Sequence, residues 1–341
     1  MLKFNIIVLR IKGVRQMKDN FGREIDYLRI SLTDRCNLRC VYCMPEEGVP
    51  SMSHSQILTY EEILRLVRIA EELGFKKIRL TGGEPLVRKG IESLISEIHA
   101  LPGIESISIT TNGILLPEML PDLKVAGLDS VNISLDTLRP DRFIEITRRP
   151  GLHKVIKAIN MSVENGLNTK INCVAMKGVN DDEFVDLAAL ARDKNLCVRF
   201  IEYMPVGKHD YERAVSKDEV KLMLQSKFGP MIPDIKKHGN GPADYFKPEG
   251  FKGSIGFISA MTNCFCQECN RVRLTADGFL KLCLQYDIGV SLRDYMRKGC
   301  SDQEIKDVFL EALGKKPKEH TFNNYKDAEN IEERSMSGIG G

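Results

Sequence analysis

No stretch of the 341-residue chain approaches the ~20 uninterrupted apolar residues that a membrane span needs. An excess of one charge is missing too: 49 Lys and Arg against 47 Asp and Glu leave a formal net charge of +2. That balance argues against a surface built as a whole for nucleic acid or membrane, so any cationic function must be local. Histidine is sparse at 6 residues and never pairs as HxxxH or HxH, so no histidine is assigned a metal role. The opening MLKFNIIVLRIKGVRQ has an apolar patch, but Lys3, Arg10 and Lys12 interrupt it or follow closely, and it lacks a small-residue cleavage site. A secretory signal is not expected.

What is present points to a folded enzyme of a reducing compartment. Hydrophobic residues make up 43% of the chain, enough for a full core. Ten cysteines would suggest disulfides in a small secreted domain, but this chain is large and seven of them fall in two tight groups. Such grouping fits metal ligation, and the cytoplasm is the expected location.

Short β-branched runs alternate with helical patterns from about residue 27 to residue 201. Strands are expected at 27–31, 77–81, 106–110, 130–134, 168–174 and 198–201. Ile63, Leu66, Val67, Ala70 and Leu73 form one buried helical stripe, opened by a Thr59–Glu62 capping box and stopped by Gly74. Leu152, Val155, Ile156, Ile159 and Val163 repeat the pattern up to Gly166. Strands alternating with helices imply parallel pairing with right-handed crossovers. Six units predict an α/β fold, an incomplete (β/α)6 barrel of the TIM type, with a doubly wound sheet as the competing topology. The pattern fades after Met204. Residues 205–252 read as a Lys-, Gly- and Pro-rich connection with one helix near 217–228, and a second cysteine group follows in a short β-rich stretch. The expected division is an N-terminal extension at 1–20, a barrel at 21–245 and a small C-terminal domain at 246–341.

Cys36, Cys40 and Cys43 form a C-x3-C-x2-C set directly after the first strand, on the face where barrel enzymes place their chemistry. Three thiolates suit a four-iron cluster with one iron lacking a protein ligand, whereas structural zinc wants four ligands and none stands nearby. The spacing, with Tyr42 before the third cysteine, resembles the radical S-adenosylmethionine superfamily. The resemblance implies that the open iron holds the amino and carboxylate groups of S-adenosylmethionine, and that a 5′-deoxyadenosyl radical then abstracts a substrate hydrogen. In Thr81-Gly82-Gly83-Glu84-Pro85, paired glycines allow close backbone approach. By resemblance Gly83 meets the methionyl amino group, Ser134 the ribose or carboxylate, and Met204 the adenine, with Tyr42 beside them. Seen alone, the glycine pair could be a plain turn and Met204 a core residue.

Cys266, Cys269 and Cys283 form a second set of three. Spacing alone leaves a zinc ribbon, with Cys264 as fourth ligand, level with a second cluster. Cys266-Gln267-Glu268-Cys269-Asn270-Arg271-Val272-Arg273, then Leu282-Cys283-Leu284, Gly256-Phe257-Ile258 and the closing Ile339-Gly340-Gly341, resemble the GTP 3′,8-cyclase family of molybdenum cofactor biosynthesis. The resemblance runs from about Tyr27 to the end of the chain. It implies two [4Fe-4S] clusters, the second binding the guanine of GTP. The hydrogen on ribose C3′ is removed and the new radical attacks guanine C8. It also implies Arg29, Arg79, Thr110, Lys170, Arg271 and Arg273 as GTP contacts, with Arg199 a weaker candidate, and a tail ending in Gly340 and Gly341 that enters the active site and is needed for turnover. A triphosphate carries about four negative charges, which a neutral protein must meet with clustered Arg and Lys. Any one of these arginines alone could simply be solvated, and a glycine-ended tail could be disordered.

Further implied partners are an external reductant and a cyclic pyranopterin monophosphate synthase acting next. A homodimer is left open, and no nucleic acid or membrane partner is expected. Cys173, Cys197 and Cys300 read as small buried hydrophobes. Two rivals remain. One is another radical enzyme with an auxiliary cluster, such as a peptide modifier, and the other is a non-catalytic zinc module.

Overall fold

The computed structural model describes residues 7–11, 14–50, 52–206, 213–236, 238–322 and 330–340. Its strands are β1 (Ile7–Ile11), β2 (Val14–Lys18), β3 (Tyr27–Ser31), β4 (Lys77–Thr81), β5 (Ser106–Thr111), β6 (Ser130–Ser134), β7 (Asn168–Ala175), β8 (Cys197–Glu202), β9 (Ile232–Pro233), β10 (Asp244–Lys247), β11 (Ser254–Ile258), β12 (Arg271–Leu274), β13 (Phe279–Lys281) and β14 (Gly289–Ser291). Its helices are α1 (Tyr60–Glu72), α2 (Ile91–His99), α3 (Leu116–Val125), α4 (Pro140–Thr147), α5 (Leu152–Glu164), α6 (Phe184–Asp193), α7 (Lys217–Phe228), α8 (Leu292–Arg297) and α9 (Asp302–Leu313).

The six expected strands are β3 to β8, paired parallel in chain order with helices between them. They build a partial (β/α)6 barrel. The helices form where local chemistry favours them. Thr59 and Glu62 make the reciprocal capping box of α1, and Ser216 with Glu219 and Ser301 with Glu304 do the same for α7 and α9. Each such cap is worth about 1 kcal/mol. The stripe Ile63, Leu66, Val67 and Ala70 is buried on α1 as its period requires.

Beyond β8 the chain holds more regular structure than its composition suggested. β11 lies parallel to β8 and carries β10 and β9 on its outer side, while β12 lies parallel to β3 and continues into β13 and β14. The result is one twelve-stranded sheet, with strands from the C-terminal part added at both edges of the six-stranded core. Strands this short and polar carry little periodic signal. They become strands because the edges of β3 and β8 offer unpaired backbone groups that must be satisfied. Helix α9 also packs back on α1, where the Phe75 and Phe309 rings meet edge to face at 5.5 Å and Arg65 reaches Asp302 at 2.7 Å. The hairpin of β1 and β2 is a separate two-stranded sheet.

The C-terminal tail is fastened rather than loose over residues 330–340. The Glu332 amide donates to the Gln285 carbonyl at 2.7 Å, and the Asp287 amide to Asn330 at 2.8 Å. The Glu332 carboxylate pairs with Lys281, both side chains being almost fully buried. Removing one partner of such a pair leaves a charge with no counterpart in a low-dielectric site, at a cost of about 3–5 kcal/mol. Glu332→Ala should therefore lower the thermal midpoint or, if the barrel survives, make the last residues sensitive to limited proteolysis. Unchanged melting together with a protected tail would contradict this anchor.

Candidate active site

Side chains alternate across each barrel strand, so Leu28 and Ile30 of β3 enter the helix-packed core while Tyr27 and Arg29 line the inner cavity. Register then does the decisive work. Arg29 stands opposite Arg273 on one side and Arg79 on the other, and Arg79 stands opposite Ser108. Three guanidiniums from strands distant in sequence thus form one lateral row. Burial holds Arg29 well below the usual arginine range, and its neighbours Arg273, Arg79 and Arg271 push in the same direction. Arg273 is brought down to about 10, first by burial and then by Arg271. A cluster of buried cations that repel one another is a site waiting for a polyanion.

That row lies in a cavity of about 310 Å³ lined by all six cysteines of the two sets, together with Arg29, Arg79, Thr110, Arg271, Arg273, Tyr42, Gly83, Ser134, Met204 and Arg199. The hydroxyl of Thr110 and Nε of Arg271 are buried with no hydrogen-bond partner among the described residues. Native structures rarely leave such groups unmet, so both are free to receive a ligand. Lys170 is 2% exposed and donates to Asn168 Oδ1 at 2.8 Å, on the strand next to Arg199. Gly340 reaches the arginine row: its carbonyl accepts from Arg273 Nη1 at 3.1 Å, Thr81 Oγ1 at 3.2 Å and Arg29 Nη2 at 3.3 Å. At Gly340, φ is +78°, and an added Cβ would lie 2.8 Å from Thr81 Oγ1, so glycine is required there on two counts. Gly341 lies outside the described residues.

The first cysteine loop is held from several sides. The Arg39 and Val41 amides donate to Thr147 and Ile146 at 2.9 Å, and Arg148 Nη1 donates to the Arg39 and Met44 carbonyls at 3.1 Å. Burial pushes the Cys36 thiol up to about 11 and that of Cys43 up to about 12, and raises Cys40 too. Three half-buried thiols that resist ionising by themselves fit a cationic iron centre, which would supply the missing charge. In the second set, burial raises Cys269, but Lys316, Arg271 and Arg23 outweigh it and bring the thiol down to about 7. At Cys269 the surrounding cations thus favour thiolate, whereas burial pushes the Cys266 thiol of the same set up to about 12.

Other residues of the site escaped sequence reading. Glu84 is buried and accepts from Thr111 Oγ1 at 2.8 Å, the Asn112 amide at 2.7 Å and the Leu86 amide at 3.0 Å. Burial nevertheless lifts its carboxyl to about 7. Asn112 Nδ2 stands 3.7 Å from Cys36 Sγ, and the Tyr42 hydroxyl donates to Asp136 at 2.7 Å. Arg199 Nη2 spans Asn132 and Asn172 at 2.6 and 2.5 Å. Glu84 stands in the glycine-pair segment, and Tyr42 and Arg199 were named by resemblance, but their partners Asn112, Asp136, Asn132 and Asn172 have no motif of their own. His320 is a further case, because its backbone amide donates to Cys266 Sγ at 3.4 Å. Cys173 and Cys197 are buried as expected, but Cys197 Sγ lies 3.2 Å from His238 Nδ1, a polar contact that the sequence did not suggest.

Comparison with known proteins accords with this geometry. Residues 30–191 match the model of the Radical SAM superfamily, and residues 196–322 match Molybdenum Cofactor Synthesis C. A GTP 3′,8-cyclase of Petrotoga mobilis is 50% identical over 329 residues, spanning 95% of this chain and 100% of its own length. The chain belongs to the GTP 3′,8-cyclase family. A second member, from Clostridium perfringens strain 13, is 47% identical over 325 residues with the same coverage. Among solved structures, SuiB of Streptococcus suis bound to its precursor peptide SuiA shares the fold at a TM-score of 0.58 and 15% identity, covering 92% of this chain and 68% of that one. The chain is thus a radical enzyme that works with S-adenosylmethionine and a [4Fe-4S] cluster. Among the described residues, no helix is long and apolar enough to cross a membrane.

The glycine pair after β4 has a cause closer to hand than ligand approach. The Gly83 amide donates to the Thr33 carbonyl at 2.7 Å, and a Cβ on Gly83 would sit 2.4 Å from the Arg35 carbonyl oxygen. The pair lets this turn lie directly on the backbone leading into the first cysteine loop. Gly83→Ala should therefore displace that loop and reduce iron uptake there severalfold while the far-UV circular dichroism stays near wild type. Normal iron content in that variant would show that the close packing is dispensable.

Proposed function

We propose that the chain is a GTP 3′,8-cyclase acting at the first step of molybdenum cofactor biosynthesis, with Cys36, Cys40 and Cys43 holding the cluster that serves S-adenosylmethionine. A second [4Fe-4S] cluster on Cys266, Cys269 and Cys283 faces it across the cavity and takes the guanine of GTP. The carrying observation is that one enclosed space joins two thiol triads to a buried arginine row. In this division, residues 21–245 form the barrel and residues 246–341 the part that closes its mouth.

When bound, the cluster and S-adenosylmethionine would supply the one-electron chemistry needed to remove the hydrogen from ribose C3′. The protein's task is to bind, orient and exclude water. Arg29, Arg79, Arg271, Arg273 and Lys170 meet the triphosphate, and Thr110 offers its unpartnered hydroxyl. Gly83, Ser134, Met204 and Tyr42 hold S-adenosylmethionine, with Asp136 fixing the Tyr42 hydroxyl. The Gly340 carbonyl draws Arg29 and Arg273 toward the tail. A guanidinium has five N–H donors, so each can serve the tail and a phosphate together. An external reductant must charge the cluster, and a cyclic pyranopterin monophosphate synthase is the expected consumer of the product, (8S)-3′,8-cyclo-7,8-dihydroguanosine 5′-triphosphate.

Anaerobic incubation of reconstituted protein with S-adenosylmethionine, GTP and a strong reductant should form 5′-deoxyadenosine and consume GTP together. 5′-Deoxyadenosine without GTP loss would overturn the substrate. The phosphate site also has a pH signature. Burial, then Arg199 and Arg79, bring Lys170 down to about 7. Phosphate favours its charged form, so GTP affinity should fall as pH rises through 7, by about fivefold or more between pH 7 and 9. Lys170→Met should bind more weakly at pH 7 and show a flatter profile, read by calorimetry. An identical slope in wild type and variant would remove Lys170 from the phosphate site.

A further inference from the structure

Beside the second cysteine triad, and sharing Cys266 with it, lies a smaller donor set whose other two members, Cys264 and His320, have no part in the cyclase chemistry. Cys264 Sγ, Cys266 Sγ and a ring nitrogen of His320 all lie within 4.8 Å of one another. Cys264 is exposed and Cys266 is buried, so the group runs from solvent to the wall of the main cavity, which Cys266 and His320 both line. Both ring nitrogens of His320 are buried without a hydrogen-bond partner among the described residues. Its ring is steadied by Phe322, with centroids 4.5 Å apart, and its backbone amide already donates to Cys266 Sγ at 3.4 Å. The residue is half-buried, but two buried ring nitrogens with neither satisfied are costly unless something is to be bound.

The spacing distinguishes one ion from a cluster. Around a single tetrahedral zinc, with bonds of about 2.3 Å to sulfur and about 2.0 Å to nitrogen, ligand atoms lie about 3.5–4 Å apart. Thiolates on a four-iron cluster sit on separate iron corners and are spread wider. A set already within 4.8 Å needs only slight closure to hold one ion. Two sulfurs and one imidazole are also a donor set suited to zinc, with the fourth position left to solvent or substrate.

We propose that Cys264, Cys266 and His320 form a mononuclear site for a zinc-like divalent ion that shares Cys266 with the second cysteine triad. Zinc here takes up the Cys266 thiolate that a cluster on Cys266, Cys269 and Cys283 needs, so the two centres compete for it and zinc disfavours the cluster. The site stands on its own geometry, whereas the competition rests on the second cluster proposed above. The chain would then hold a metal-dependent block on assembly of its own substrate-binding centre.

The test uses the full-length chain, freed of iron and kept anaerobic. Titration with Co²⁺ should give thiolate charge-transfer and tetrahedral d–d bands that saturate near one ion per chain, and Zn²⁺ should abolish them. Cys264→Ser and His320→Ala should each weaken Zn²⁺ binding about tenfold or more, while His320→Cys restores it and Cys269→Ser and Cys283→Ser change it less than about twofold. Cys264 is exposed, so its variant tests the site without threatening the fold. Loss of binding in Cys269→Ser or Cys283→Ser, with Cys264→Ser and His320→Ala unaffected, would overturn the site, as would absence of binding to wild type. For the competition, chain preloaded with Zn²⁺ should take up about four fewer irons on anaerobic reconstitution than zinc-free chain. Equal uptake of about eight irons with zinc retained would overturn the competition. If the zinc-free chain takes up only about four, the second cluster fails and the zinc titration still decides the site.

Discussion

Like charges brought together in a buried place dominate this molecule. Arg273, Arg29 and Arg79 stand side by side on three neighbouring strands, fixed there by sheet register. Side chains with this much mutual repulsion would normally turn toward water. Here the sheet does not let them. The fold holds them inward and leaves the compensating charge to a bound polyanion and, in part, to the carbonyl of Gly340. Stability has been traded for a pre-formed anion site, a familiar bargain at functional centres.

The rest of the architecture serves that site. Arg273 comes from β12, which is reached only after about seventy residues of connection beyond β8, yet it pairs directly with β3. The second cysteine triad is carried on the same stretch of chain, so adding β12 to the barrel edge brings both thiol groups to the wall of one cavity. The tail is fastened by the Lys281–Glu332 pair and by backbone hydrogen bonds with Gln285 and Asp287, and Gly340 reaches the arginine row. Two edge additions and a pinned tail narrow an open barrel mouth into a partly covered cavity, which limits the access of water to a reactive radical.

The two cysteine sets sit in different electrostatic surroundings. The first is buried among groups that disfavour thiolate, including its own neighbours, so only an incoming metal centre balances it. The second is mixed: burial raises Cys266 as it does the first set, and only Cys269, close to Lys316, Arg271 and Arg23, is brought down. That contrast suits their proposed tasks, one meeting a zwitterionic sulfonium and the other an anionic nucleotide.

The sequence by itself determined the barrel strands, the helix caps, both cysteine triads and the family, because each is written in local spacing or in a short motif. It also named the arginines, although only by resemblance, since a lone Arg29 or Arg79 carries no periodic signal of its own. Only tertiary structure decided that three of them form a row, for register between strands is not encoded within any one strand. Of the added strands, β12 was legible at residues 271–274, whereas β9, β10, β13 and β14 were hidden for the same reason: they are strands through pairing rather than pattern. Glu84, Asp136 and Asn112 became part of the site through burial against the cysteine loop. His320 is the clearest case. Spacing along the chain left it isolated, and folding brought it against Cys266, 54 residues away, because proximity in space follows from packing and not from sequence distance.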